Sequence, residues 1–200
     1  MARPRTRDID VATPERILAS AEVAFASVGY SVATLADISR AAGLRRPSLL
    51  YHFKTKEVLY AAVVARVFAR LGEALLAAQV VSGTFEARLR AVTEAFDVFL
   101  RQEPHVARII VRELVDGDGP GGTLLAEQAG PLLDQMATWI QNTGAGQLRT
   151  DLDVRVVLTH VASDALLRHA AGRLRVPLWG QTVHDRSWQV ARTLLLPQEA

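Results

Sequence analysis

Two arginines, a hydroxyl, an aromatic ring and an imidazole fall close together in this 200-residue chain, as Arg45, Arg46, Ser48, Tyr51 and His52. Guanidinium groups bind guanine edges and phosphates in a bidentate fork, and the other groups complete a surface suited to a DNA major groove. Spacing decides whether they can act together. Leu49 and Phe53, four apart, define the inner face of a helix. Pro47 sits in its first turn, where a missing N–H costs nothing. Arg45, Arg46, Ser48, Leu50, Tyr51 and His52 are left to face outward.

The residues before this helix explain how it is held. Thr34 is a good N-cap, and Asp37 three residues on can answer it as the acidic half of a capping-box-like pair. Leu35, Ile38 and Ala42 share one face at spacings of three and four, and Gly43 supplies the positive-φ residue that ends a helix cheaply. Two short helices joined by a tight turn, with another helix following at once, make a helix-turn-helix. Thr13-Pro14-Glu15 opens an earlier helix that carries Ile17, Ala21, Ala24, Phe25 and Val28 inward and ends at Gly29. It braces the motif and completes a three-helix bundle. Residues 1–56 hold nine Lys/Arg against five Asp/Glu, and residues 57–200 hold fourteen against sixteen. A basic head on a slightly acidic body fits phosphate binding by the head.

The run A-A-G-L-R-R-P-S-L-L-Y-H-F-K-T-K-E-V-L resembles the signature of the TetR, or tetracycline-repressor, family, over about residues 13–60. The resemblance implies an all-α protein with a DNA-binding head (1–56) and a helical ligand-binding and dimerisation body (57–200). Carried over residue by residue, it makes Thr34, Tyr51, His52 and Lys56 the phosphate contacts. Arg45, Arg46, Ser48 and Leu50 become the base-edge readers, with Arg46 foremost. Two positions depart from the family pattern: Arg45 stands where a Ser or Thr cap is usual, and Leu50 where an aromatic hydroxyl is common. Both bear on the operator sequence, not on the binding mode. Arg3, Arg5 and Arg7 carry no apolar periodicity and read either as a solvated terminus or as an arm reaching phosphates.

The body reads as helix throughout, giving about nine helices in all. Thr55 caps a rod from Lys56 to about Val81 with Val58, Leu59, Ala62, Val63, Val67, Leu71, Leu75 and Ala78 on one stripe. Further helices open at Thr84, Pro104 and Leu124, the last with Pro131 as a kink or break. The run from Gly117 to Gly122 reads as a linker, since a phosphate loop would need a preceding strand and a Gly-Lys-Ser/Thr ending. In the family a small ligand lies among the body helices. Phe68, Phe96, Phe99, Ile110, Met136, Trp139 and His160 are candidate walls, with Arg112 and Glu113 as polar anchors, for an apolar or amphipathic molecule. Plain core packing is the competing reading for each. The helices at 153–173 and 186–196, the first apolar on more than one face, are the expected homodimer surface, with Pro177 and Gly180 in a loop between them.

Other chemistries find little support. The absence of cysteine excludes disulfides and thiolate chemistry. His160 and Asp164 make at most two ligands, so no metal or cofactor is expected. No nucleophile triad or paired catalytic carboxylates point to an enzyme. The most apolar stretch, Val58–Leu76, is interrupted by Arg66, Arg70 and Glu73, and no secretory signal is recognisable, so a cytoplasmic protein without a membrane span is expected.

Overall fold

The computed structural model describes residues 7–116, 120–181 and 185–197. Arg3, Arg5 and the Arg7 side chain of the basic arm, Gly117–Gly119 of the glycine run, and His184 lie outside that description. Helix α1 (Arg7–Val32) begins before the expected Thr13 cap, so Pro14 lies inside it. The proline deprives the carbonyl four residues earlier of its helical partner, a cost taken within the first turns. At Gly29 the backbone swings to φ 81° and kinks the helix, after which one more turn reaches Val32. Only glycine takes that conformation cheaply.

Helices α2 (Leu35–Ala41) and α3 (Arg46–His52) form the motif, and α4 (Lys56–Gln79) rises from it. At 1.5 Å per residue α4 spans about 36 Å. It is capped by Thr55, whose Oγ1 accepts from Val58 N at 3.2 Å. Val58 does not join the stripe: it is 51% exposed, and Leu59, Val63 and Val67 face the core. Next come α5 (Phe85–Gln102), capped by Thr84, and α6 (Pro104–Asp116). Leu114 of α6 is exposed, because Ile110 and Glu113 take the inner positions.

Helix α7 (Pro120–Thr143) starts before Leu124 and absorbs Gly121 and Gly122 of the expected linker; Pro131 lies within it without ending it. Helix α8 (Val154–Ala170) is capped by Asp153 and stops short of Arg173. A single 3-10 turn (Gly172–Leu174) and a short helix α9 (Arg175–Trp179) occupy the expected loop. Pro177 is the third residue of α9, a position whose N–H would have no helical partner. Helix α10 (Arg186–Leu195) completes ten helices among the described residues, with no strand.

The core runs without a gap across Lys56. One apolar cluster joins Ile17, Phe25, Ile38 and Leu49 of the head to Val67, Phe99, Ile110 and Met136 of the body. Helix α4 lies centrally, against α1, α5 and α7, while α6 packs on both α1 and α8. A second cluster, with Phe85, Ile140, Val157 and Trp188, ties α5, α7, α8 and α10 together.

Candidate DNA-binding head and regulatory body

The turn between α2 and α3 is set by local backbone chemistry. Gly43 takes φ 66°, Gly43 N donates to Arg40 O at 3.0 Å, and Leu44 N donates to Ser39 O at 2.8 Å. This paired arrangement is the Schellman termination, which satisfies carbonyls that the helix end would orphan. Arg16 of α1 adds a third donor from outside the motif, reaching Ala42 O at 2.5 Å. At the other end, Thr34 Oγ1 accepts from Asp37 N at 3.1 Å and donates to Asp37 Oδ2 at 2.6 Å. Those hydrogen bonds from Thr34, and then Arg40, hold the Asp37 carboxyl below its ordinary range. Any phosphate at Thr34 therefore meets a hydroxyl already engaged by a carboxylate.

Helix α3 presents the predicted face. Leu49 is fully buried and Phe53 packs on the core. Arg45, Arg46 and Ser48 are exposed, Leu50 and His52 are half-buried, and Tyr51 is 79% exposed. Tyr51 and His52 meet edge to face at 5.1 Å. Arg45 occupies the N-cap position without a side-chain cap. Neither Arg45 nor Arg46 has an ion-pair partner among the described residues, whereas Arg66, Arg70, Arg168 and Arg192 of the body are paired. An exposed, unpaired guanidinium pair on a rigid helix is available to a ligand.

Lys56 is used differently from what the sequence suggests. Its ammonium donates to Tyr30 O at 2.8 Å, Ala33 O at 3.1 Å and Ser31 O at 3.3 Å, and lies 4.5 Å from the Tyr30 ring centroid. An ammonium has three protons, and all three cap the carbonyl end of α1. Lys54, passed over in the sequence, is exposed and has no partner among the described residues. No sequence signal separates the two lysines, because the carbonyls that claim Lys56 lie more than twenty residues away.

The body anchors divide. Phe68, Phe99, Ile110 and Met136 are buried in the main cluster, with Phe96 and Trp139 packed against it. Gln79 Nε2 lies 3.2 Å from Met136 Sδ. Glu113 is buried and accepts a short hydrogen bond from the Tyr60 phenol; Arg112 Nη2 donates to Ser27 O at 3.0 Å. Burial first, and then Glu113, push the Tyr60 phenol far above its ordinary value, so it stays protonated and donates. His160 does not join these walls: it is exposed on the outer face of α8, in a stripe with Val156 and Leu167. Asp164, its expected helical partner, accepts from Trp179 Nε1 at 3.0 Å and Arg186 Nε at 3.1 Å instead. An open groove of about 370 Å³ runs between α4 and α7, lined by Phe68, Ala65, Ala69, Gly72, Leu76 and Leu132. Of the expected wall residues, Phe68 lines it. Among the described residues no helix is long and apolar enough to cross a membrane.

Fold and site together define a helix-turn-helix head carried on an all-helical body. Residues 17–63 match the family described as bacterial regulatory proteins, tetR family. The head thus carries the N-terminal domain of that family. The HTH-type transcriptional activator FasR of Mycolicibacterium smegmatis is 33% identical over 95 residues, which cover 48% of this chain and 43% of FasR. This chain thus aligns with less than half of that relative's length. Among solved structures, a TetR-like regulator from Rhodococcus sp. RHA1 superposes with TM-score 0.70 at 19% identity, covering 96% of this chain and 98% of that one. The fatty acid degradation regulator FadR from Bacillus halodurans gives 0.70 at 17% identity, covering 92% and 94%. At such identities these two likenesses speak for the fold.

Proposed function

We propose that this protein is a homodimeric, ligand-responsive transcriptional regulator, acting in the cytoplasm as a repressor that a small apolar or amphipathic molecule releases from a near-palindromic operator. The observation that carries the DNA-binding part is the exposed, unpaired Arg45–Arg46 pair beside Tyr51 on α3. Arg45, Arg46, Ser48 and Leu50 read base edges in the major groove, and Thr34, Tyr51 and His52 contact phosphates. With the Lys56 ammonium spent on α1, Lys54 supplies the lysine clamp. FasR is an activator. The same head serves either direction of control, since direction follows from where the operator lies relative to the promoter.

Dimerisation is supported by α8. Val156 is 62% exposed and Leu167 49% exposed, on one outer stripe with His160 between them. A helix apolar on its outer face as well as its inner one asks for a second partner. Two such stripes meeting across a two-fold axis would present two heads to half-sites on one face of DNA.

Selection of binding sites from random DNA at fixed salt tests the reading: an enriched near-palindrome supports it, and no enrichment sinks it. A second reading, a dimeric DNA-binding regulator without a ligand, is favoured by the close packing of Phe99, Ile110 and Met136 where a ligand was expected. A thermal-shift screen of apolar and amphipathic compounds separates the two, since a ligand of the folded state must raise the melting temperature.

A further inference from the structure

Head and α4 are bound into one lever. Lys56 caps α1, Tyr30 donates to Glu57 at 2.9 Å, Arg66 pairs with Glu15 at 3.2 Å, and Arg70 pairs with Glu22 at 2.9 Å. Near the DNA end, this lever is tied to the body through two consecutive residues of α6. Arg112 holds Ser27 O, beside the Gly29 kink of α1. Glu113 holds the Tyr60 hydroxyl on α4, where the Tyr60 ring meets Phe25 at 4.8 Å and Tyr30 at 4.9 Å. Behind Glu113 stands the first turn of α7, so close that a Cβ on Gly121 would overlap the carboxylate.

We propose that Tyr60 and Glu113 are positioning residues that fix the angle of the head against the body, and so set the half-site spacing that the dimer accepts. The proposal rests on the DNA-binding reading above. The pair sits at the corner where α4, α6 and α7 meet, and both groups are buried. A shift of the first turn of α7 displaces the carboxylate, and the phenol loses its acceptor. With Arg112 on the adjacent position, the same shift reaches α1. Movement in the body thereby becomes rotation of the head.

The chain has no cysteine, so paired spin labels can be placed cleanly at Ala36→Cys on α2 and Glu127→Cys on α7. With labelled protein diluted into unlabelled, the head-to-body distance distribution should be narrow in the wild type. Tyr60→Phe, which keeps the ring, and Gly121→Ala, which leaves the aromatic cluster untouched, should each shift or broaden it. Glu113→Gln, with Tyr60 intact, still offers an acceptor and should keep the wild-type distribution. On operators from the random-DNA selection, with spacers lengthened or shortened by one base pair, Tyr60→Phe should reduce the preference for the best spacing about tenfold, in line with ordinary coupling between sites. Affinity for a single half-site should not change. Unshifted distances in both Tyr60→Phe and Gly121→Ala overturn the proposal, as does a spacing profile unchanged by either. Shifted distances with no operator enriched by the wild type would instead sink the DNA-binding reading.

Discussion

Replacing Lys56 by Ala separates two uses of a lysine that the sequence leaves alike. The ammonium caps three carbonyls at the end of α1 and lies over the Tyr30 ring. Hydrogen bonds to a charged group are worth about 1.5–3 kcal/mol net. A cation at a helix C-terminus adds about 0.3–1 kcal/mol and an exposed cation–π contact about 0.5–1 kcal/mol. One ammonium makes all of these, so they do not add in full, and the expected loss is about 2–3 kcal/mol. For a chain of this size each kcal/mol moves the melting point by about 2–4 °C, so a fall of roughly 5–10 °C is expected. The assay pairs calorimetry with operator affinity measured from low to moderate salt. Each phosphate contact contributes about one to the slope of log K against log salt, and that slope should not change. A slope lowered by about one with an unmoved melting point would refute the argument and return Lys56 to the phosphate.

Lys54→Ala should give the mirror image: unchanged stability, with the salt slope lowered by about one and binding weakened alike on all sequences. Arg46→Ala should cost about 1–3 kcal/mol on the selected operator and relax specificity at one base pair; equal losses on operator and random DNA would reduce it to a phosphate contact. Leu167→Glu, on the exposed stripe of α8, should yield folded monomers in sedimentation, and persisting dimers would place the interface elsewhere. Burial pushes the Asp97 carboxyl up, but hydrogen bonds with His169 and Ser187 and the Arg168 charge outweigh it and bring it down to about 2. A depressed carboxyl stabilises the fold above its ordinary range and loses that contribution as pH falls from about 5 towards 2. Asp97→Asn should therefore cost about 1–3 kcal/mol at neutral pH and flatten the acid side of the stability curve; parallel curves would show that the group is not the titrating one.

The helix-turn-helix was legible because every signal for it acts within a few residues. Thr34 caps through Asp37 N, Gly43 ends α2 at φ 66°, and Pro47 starts α3. The same locality made the caps at Thr55 and Thr84 readable. Where the chain departed from expectation, a distant partner was responsible. Gly121 and Gly122 look like a linker until Glu113 is found lying against the first turn of α7.

By itself the sequence determined the all-helical architecture and the face that α3 turns outward, since hydrophobic period and capping chemistry are properties of short segments. Only the tertiary structure decided which polar groups remain free. Lys56 is claimed by carbonyls of α1, Glu113 by a phenol 53 residues away, and His160 is carried to the outside of α8. Arg45 and Arg46 keep their charge unspent because no carboxylate among the described residues folds back to meet them, and pairing across such distances is fixed by how the helices cross.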